Sequence, residues 1–350
     1  MNQQPADRRD RSPVRRPRLD DVAALVGVST ATVSLVLRNV AGPSAQTRQR
    51  VLDAAAELGY RPDRTASLLA RRRRHLLGVM MDVHNTYHAD LVENIHDAAQ
   101  DRGYDLVLST LTRSRDERRA VETLLDFRCE ALVLLGPEVS SARLVELNKA
   151  IPVVCVGRRL TSPAVDVVRT ADDIGVAQAL EHLVQLGHRH IAFVDGGRGT
   201  IAADRRRGYT TAMRRQGLGD HVRVIPGEHT EAAGSAAAAL LLELGTLPSA
   251  VMASNDRAAV GFLAAMSHAG IPVPESVSLV GYDNSLSSRL AHVNLTTVSQ
   301  DAHAQAQHAV TLALERLDDG RTTPREVVLT PALIIRGTTG SPPATAAAMW

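Results

Sequence analysis

The sequence predicts an α/β protein: a three-helix domain at the N-terminal end, followed by a larger two-lobed domain with parallel, doubly wound sheets. Three observations point there. Residues 19–37 read as two short amphipathic helices joined by a tight turn, a helix-turn-helix pattern. From residue 76 onward short apolar runs alternate with helical stretches, the βαβ rhythm of parallel sheets covered by helices on both faces. The segment 76–337 is too long for one compact sheet and suits two similar lobes.

In the first helix Val22, Ala23 and Val26 are related by i+3 and i+4 steps and make one apolar stripe, after which Gly27 permits the sharp turn. Ser29 is placed to cap the second helix, because its hydroxyl can accept an orphan amide of the first turn. Val33, Val36 and Leu37 form the buried stripe of that helix. Thr30, Ala31, Ser34, Leu35 and Arg38 are left on the free face, the one a recognition helix offers to a major groove. A third helix follows, with Ser44 as cap, Val51, Leu52, Ala55 and Leu58 as its apolar stripe, and Gly59 as its stop. Any small helical bundle would show such stripes, so the motif alone does not decide the function.

The expected strands of the second domain begin with Leu77-Gly-Val-Met-Met, Leu106-Val-Leu, Ala131-Leu-Val-Leu-Leu and Pro152-Val-Val-Cys-Val. Ile191-Ala-Phe-Val, Ala250-Val-Met-Ala and Ser278-Leu-Val-Gly follow, and a helix is expected from Leu91 to Gly103. Residues 1–17, with Arg8, Arg9, Arg11, Arg15 and Arg16, lack periodicity and read as a disordered basic arm. The helical unit spans 18–63, and a hinge spans 64–75. The hinge contains Arg71-Arg-Arg-Arg74, which suits a solvated linker and a phosphate clamp equally well. Residues 338–350, mostly Pro, Ala and Thr without leucine heptads, are expected to be a flexible tail that adds no coiled coil to a dimer.

The chain has 350 residues, 44% of them apolar, and a net charge of +2 that is unevenly distributed. Residues 1–75 hold 15 Arg against 7 acidic residues, while the rest is net acidic, so the helix-turn-helix end is the basic end. Lys149 is the sole lysine, which explains the preference for Arg but not the asymmetry. No apolar stretch suits a membrane span or a secretory signal, and a cytoplasmic location is expected. There Cys129 and Cys155 are expected to be buried thiols, and neither their number nor their spacing suggests zinc.

Taken together, the motifs resemble those of the lactose-repressor (LacI/GalR) family of bacterial transcription regulators. They begin with Asp21-Val-Ala, Gly27-Val-Ser-Thr-Ala-Thr-Val-Ser34, Thr47-Arg and Leu58-Gly-Tyr-Arg-Pro62. Further on come Glu181-His-Leu, Leu186-Gly-His188, Arg205 with Gly208-Tyr209, Ser254-Asn-Asp256, Val280-Gly-Tyr-Asp283 and Leu295-Thr-Thr-Val-Ser-Gln300. The resemblance covers residues 18–340. It implies a periplasmic-binding-protein-like (type I) clamshell that binds an effector and dimerises, with the chain crossing between lobes near 168–172, 297–302 and 326–330. The N-lobe would take 76–170 and 300–327, and the C-lobe 171–297 and 328–337. It further implies a repressor that binds a pseudo-palindromic double-stranded DNA operator as a homodimer, under allosteric control by a sugar or related metabolite.

On the recognition helix, Thr30, Ser34 and Arg38 can hydrogen-bond base edges or phosphates, whereas Ala31 and Leu35 offer apolar contact. Ser29, Thr32, Ser44, Thr47 and Arg48 are expected to position phosphates. Leu35 stands where many relatives carry Arg, and Arg38 where they carry Asn, so the preferred half-site should differ from the family's. By resemblance, 63–70 is a hinge helix with Arg64 and Ala66 at the DNA and Leu69 as the minor-groove wedge. Read without the family, Leu68 and Leu69 could be core residues. Asp63 replaces the usual Asn and Ser67 the commoner Arg or Gln.

Ligands of doubly wound sheets bind beyond the carboxyl ends of the strands, which singles out Asn255, Asp256 and Asp283. Carboxylates accept hydrogen bonds from sugar hydroxyls. Asn255-Asp256 could equally cap the helix that follows. The resemblance adds Arg205 as the effector arginine, Asn85, Tyr87 and His88 on the first strand-to-helix loop, Arg158 and Asp172 on matching loops, and Gln300 at a crossover. Thr86 replaces a familiar Pro. Gly157 and Ala171 stand where acidic residues are common, which makes a plain hexose an imperfect fit.

No catalytic residues, cofactor or metal are expected. Gly196-Gly-Arg-Gly-Thr200 lacks the GK[ST] ending of a phosphate loop, and neither G-x-S-x-G nor H-E-x-x-H occurs. The thirteen histidines are scattered, and His188 and His190 flank a strand entrance in a structural role.

Overall fold

The computed structural model describes residues 17–60, 73–160 and 164–343. The chain divides into two compact units, Met1–Arg74 and His75–Trp350. The expected arm and the hinge residues Arg64, Ala66 and Leu69 lie outside the described residues.

In the first unit α1 (Leu19–Val26), α2 (Thr30–Leu37) and α3 (Ala45–Glu57) enclose one small core. Gly27 ends α1 with φ 72°, a left-handed conformation that costs glycine little, and α1 and α2 bend by 106°. Ser29 caps α2 by accepting from Thr32 N (3.1 Å), and Ser44 caps α3 by accepting from Thr47 N (3.2 Å). The stripe of α3 differs by one position from the one expected. Ala54 is buried with Val51 and Ala55, while Leu52 is 43% exposed, because Leu52 is 100° round the helix from Val51.

The second unit contains two six-stranded sheets of the same winding. The N-lobe sheet comprises β1 (Leu76–Asp82), β2 (Asp105–Leu111), β3 (Ala131–Leu135), β4 (Val153–Val156), β5 (Asp166–Thr170) and β11 (Glu326–Leu329). Its order is β11-β5-β4-β3-β1-β2, and every pairing is parallel. The C-lobe sheet comprises β6 (Ile191–Val194), β7 (Arg223–Ile225), β8 (Ala250–Ala253), β9 (Ser278–Asp283), β10 (Thr296–Ser299) and β12 (Ala332–Ile334), in the order β12-β10-β9-β8-β6-β7. Only β12 runs antiparallel, against β10. β5, β7, β10, β11 and β12 were not among the expected strands. β5 (DVVRT) and β10 (TTVS) mix polar with apolar residues, and β11 alternates half-buried and exposed positions rather than forming an apolar run.

Helices cover both faces of each sheet. On the N-lobe, α4 (Thr86–Gln100) and α11 (Ala302–Leu317) lie on one face, and α5 (Glu117–Asp126) and α6 (Ser141–Ala150) on the other. On the C-lobe, α7 (Asp172–Gln185) and α8 (Thr200–Arg215) face α9 (Glu231–Glu243) and α10 (Asp256–His268) across the sheet. The α9–α10 crossing depends on two glycines. A Cβ on Gly234 would lie 1.9 Å from the Ala258 carbonyl oxygen, and one on Gly261 1.9 Å from that of Glu231.

The chain passes between lobes after β5, after β10 and between β11 and β12. Asp166, fully buried on β5, binds the late segments to the N-lobe. It accepts from Arg316 Nε (2.8 Å), Arg321 Nη1 (2.9 Å) and Arg325 N (2.7 Å). Thr338 to Gly340, expected in the flexible tail, are instead packed into the C-lobe. Thr338 Oγ1 donates to Leu279 O (2.7 Å) and accepts from Thr296 N (2.9 Å), and Gly340 O is 2.8 Å from His188 Nε2. Cys129 and Cys155 are free and buried, and burial pushes their thiols up to about 11 and about 12.

Candidate functional site

The free face of α2 carries the residues the sequence assigned to it. Thr30, Ala31 and Arg38 are exposed, and Ser34 and Leu35 are half-buried. Arg38 Nε donates back to Ser34 O (3.2 Å). Ser29 and Ser44 hold exposed positions in paired hydroxyl arrangements with Thr32 (2.9 Å) and Thr47 (3.0 Å), so two of the expected phosphate contacts, Ser29 and Ser44, are also helix caps. Arg48 departs from expectation. Its guanidinium donates to Val36 O (3.3 Å), Asn39 Oδ1 (2.9 Å) and Val40 O (2.8 Å), tying α3 to the carboxyl end of α2 rather than standing free for phosphate. Arg50, which the sequence reading passed over, does the same for α1 through Val26 O (2.7 Å).

In the second unit the carboxyl ends of both sheets meet at a cleft. An inner chamber of about 60 Å³ opens into a vestibule of about 420 Å³, and Asn85, His88, Gly136, Ile201 and His229 line both. Of the expected ligand residues, Asn85, Tyr87, His88, Arg205, Asn255, Asp283 and Gln300 line the chamber.

Arg205 is the centre of this wall and is 4% exposed. Its Nε donates to Asp172 Oδ1 (2.9 Å) and its Nη1 to Ser254 O (2.6 Å), with Asp283 Oδ1 3.5 Å away. The guanidinium lies 3.7 Å above the Tyr282 ring. Burial opposes its charge, but Asp172 and Asp283 more than offset this and hold it well above the ordinary value. Asp283 sits at φ 121°, a strained conformation for a residue with a side chain, and accepts from Gln300 Nε2 (2.6 Å). Burial pushes its carboxyl up to about 8 although Arg205 pulls it down.

Across the chamber, Asn85 caps α4 by accepting from Tyr87 N (3.0 Å). Asp82 N donates to His88 Nδ1 (3.1 Å), which fixes the neutral tautomer with its proton on Nε2, and burial lowers the ring to about 4. Two polar groups of the lining, Tyr87 Oη and Gln305 Oε1, are buried without a partner among the described residues. Such atoms cost free energy unless a ligand or water satisfies them. The chamber thus presents fixed donors and acceptors with apolar surface from Leu91, Val156 and Ile201, the character of a site for a compact polyhydroxy molecule.

Three expected contacts are not in the lining. Asp172 stands behind Arg205 and orients it. Asp256 is fully buried and accepts from Ser285 N (2.7 Å), Ser285 Oγ (2.9 Å) and Thr297 Oγ1, bracing the turn after β9. The cap at this helix is Asn255, through Ala258 N (2.9 Å). Arg158 turns away to Pro137 O (2.6 Å) and Val139 O (2.8 Å), two carbonyls that satisfy its buried Nη1. In return the structure adds His229, Gln305, Gly136 and Gly157. His229, lowered to about 3 by burial and by Arg205 and Arg257, follows β7 and would have been found had that strand been recognised. Gln305 had no local signal, since α11 reaches the cleft only through the lobe crossing.

Among the described residues no group of His, Cys, Asp and Glu could hold a metal, and no single helix is long and apolar enough to cross a membrane.

Comparisons with known proteins agree with this architecture. Residues 18–63 match the model of bacterial regulatory proteins of the lacI family, and residues 180–339 that of a periplasmic binding protein-like domain. The transcriptional regulator GalR of Escherichia coli (strain K12) is 33% identical over 330 residues, covering 93% of this chain and 96% of that protein. The lac repressor dimer bound to operator and the anti-inducer ONPF superposes with a TM-score of 0.79 at 29% identity, over 93% of this chain and all of that one. The complex of the regulator CelR with cellobiose gives 0.68 at 28% identity, over 92% and 100%. These are transcriptional regulators rather than enzymes, and the chain belongs to the LacI family of bacterial regulatory proteins.

Proposed function

We propose that this DNA-binding transcriptional regulator acts in the cytoplasm as a repressor, gripping a pseudo-palindromic operator as a homodimer and responding to a sugar or related metabolite held in the interlobe cleft. The reading rests on one observation above the others: a buried, rigidly held Arg205 faces a chamber in which Tyr87 Oη and Gln305 Oε1 lack partners. Arg205, Asn255 and Asp283 belong to the C-lobe, whereas Asn85, Tyr87, His88 and Gln305 belong to the N-lobe. A ligand that touches both sets has different affinity for different lobe arrangements, and that difference is what can drive the switch. On the DNA, Thr30, Ala31, Ser34, Leu35 and Arg38 read base edges while Ser29, Thr32, Ser44 and Thr47 position phosphates, with Arg64, Ala66 and Leu69 at the operator centre. A two-fold protein requires a two-fold site.

Isothermal titration with a panel of mono- and disaccharides, repeated on Arg205→Ala, tests the cleft. One saturable ligand whose binding the substitution abolishes is the expected result, and unchanged affinity would remove the assignment. Selection of bound duplexes from a random pool tests the DNA reading, which fails if no two-fold sequence is enriched.

A further inference from the structure

A second cavity, of about 280 Å³, lies between α7, α8 and β5, on the other side of Asp172 from the effector chamber. Both lobes build it. Arg159 and Arg169 come from the N-lobe, and Arg207 and Arg215 from α8 of the C-lobe. Two of these guanidinium groups are already balanced, since Arg169 Nε lies 2.6 Å from Glu326 and Arg207 pairs with Asp204. Arg159 and Arg215 have no hydrogen-bond or ion-pair partner among the described residues, and Asp173 is the one lining carboxylate left similarly unengaged. Asp172, itself 92% buried and bonded to Arg205, forms part of the wall.

We propose that this cavity is a regulatory site for a small polyvalent oxyanion, a phosphate ester or a polycarboxylate, distinct from the sugar chamber and coupled to it through Asp172. Guanidinium forks bind such groups in a planar, bidentate manner, and the unpaired forks come one from each lobe, so a bridging dianion favours the lobe arrangement that brings them together. The cavity shares Asp172 with the network that fixes Arg205, and charge placed against that carboxylate alters its hold on the arginine. Occupancy of one site therefore changes affinity at the other, reciprocally.

Titration of the full chain with sodium pyrophosphate and, separately, with citrate, at constant ionic strength, tests this. Saturable binding of either probe at one site per chain is expected, and which of them binds tells the ester from the polycarboxylate. Arg159→Ala with Arg215→Ala, both exposed and without a bonding partner among the described residues, should weaken it by about tenfold or more. Asp173→Asn should tighten it. Arg205→Ala, which leaves Asp172 unpaired at the wall, should weaken it several-fold. Tyr87→Phe, which alters only the sugar chamber, should leave it unchanged and so separates failure of this site from failure of the chamber assignment. Absence of saturable binding, equal affinity in the double variant, or loss in Tyr87→Phe would each overturn the proposal.

Discussion

Replacing Arg205 by Ala should unfold more than a ligand contact. The substitution deprives Asp172 of its 2.9 Å partner and Ser254 O of a 2.6 Å donor, and removes the cation over Tyr282. Breaking a buried ion pair typically costs about 3–5 kcal/mol. The lower end applies here, about 3 kcal/mol, because Asp283 is 3.5 Å from the guanidinium and is pushed up by burial, so it depends on Arg205 less than Asp172 does. That raised value gives the wild-type fold a proton it binds more tightly than the unfolded chain does. The resulting stabilisation is complete below the ordinary 3.8 and disappears as the pH rises to about 8. Without Arg205 the pull that lowers Asp283 is gone and its carboxyl rises further, so the deficit of the variant should shrink on acidification from about pH 8 to about pH 5. Urea unfolding followed by circular dichroism at the two pH values measures both effects. A loss below about 1 kcal/mol, or one that does not change with pH, would refute the claim that Arg205 is held by buried carboxylates.

Other outcomes follow from the same geometry. Arg48→Ala should destabilise the helical head by about 1–2 kcal/mol in thermal melts, since three acceptors at the end of α2 lose their donor, whereas a pure phosphate contact would change DNA affinity and leave the melt alone. Gly234→Ala forces a methyl against a carbonyl oxygen and should cost about 3 kcal/mol or more in chemical unfolding, and an unchanged midpoint would contradict the close α9–α10 approach. Tyr87→Phe should weaken sugar binding about tenfold in calorimetry while stability stays within about 0.5 kcal/mol, and a large stability loss would show that the hydroxyl is already satisfied. His88 and His229 are kept neutral down to about 4 and about 3, so their contribution is whole above the ordinary 6.5 and is lost as the pH falls through those values. His229→Gln should therefore flatten the acid limb of stability, and an identical limb in the variant would count against a buried neutral ring.

Much of this molecule is local in the sequence, and the readings that failed are the ones that are not. The stripes of α1 and α2 and the strands β1, β3, β4, β6, β8 and β9 are continuous apolar patterns, and Arg205 and Asp283 stand in recognisable motifs. By contrast, Leu52 and Ala54 compete for one helix face, and apolar size favoured the wrong one until the packing of α3 was known. Arg158 occupies a loop that belongs to the cleft, yet its side chain is drawn the other way by two backbone carbonyls that no spacing rule foretells. Gln305 and β11 enter their sites only because the chain recrosses the cleft, a tertiary event.

The threading of the second unit also constrains how the protein can be made. The N-lobe sheet takes its edge strand, and Asp166 three of its hydrogen-bond donors, from residues 316–329, while the C-lobe waits for β12 and for Thr338. On a ribosome the helical head has its core partners as soon as α3 has emerged, but the N-lobe cannot close its hydrogen-bond ladder until β11 has emerged, nor the C-lobe until β12 and Thr338 have. A chain that stops before β11 would thus leave both halves of the sensor with open edges, the kind of exposed strand that chaperones hold and proteases clear.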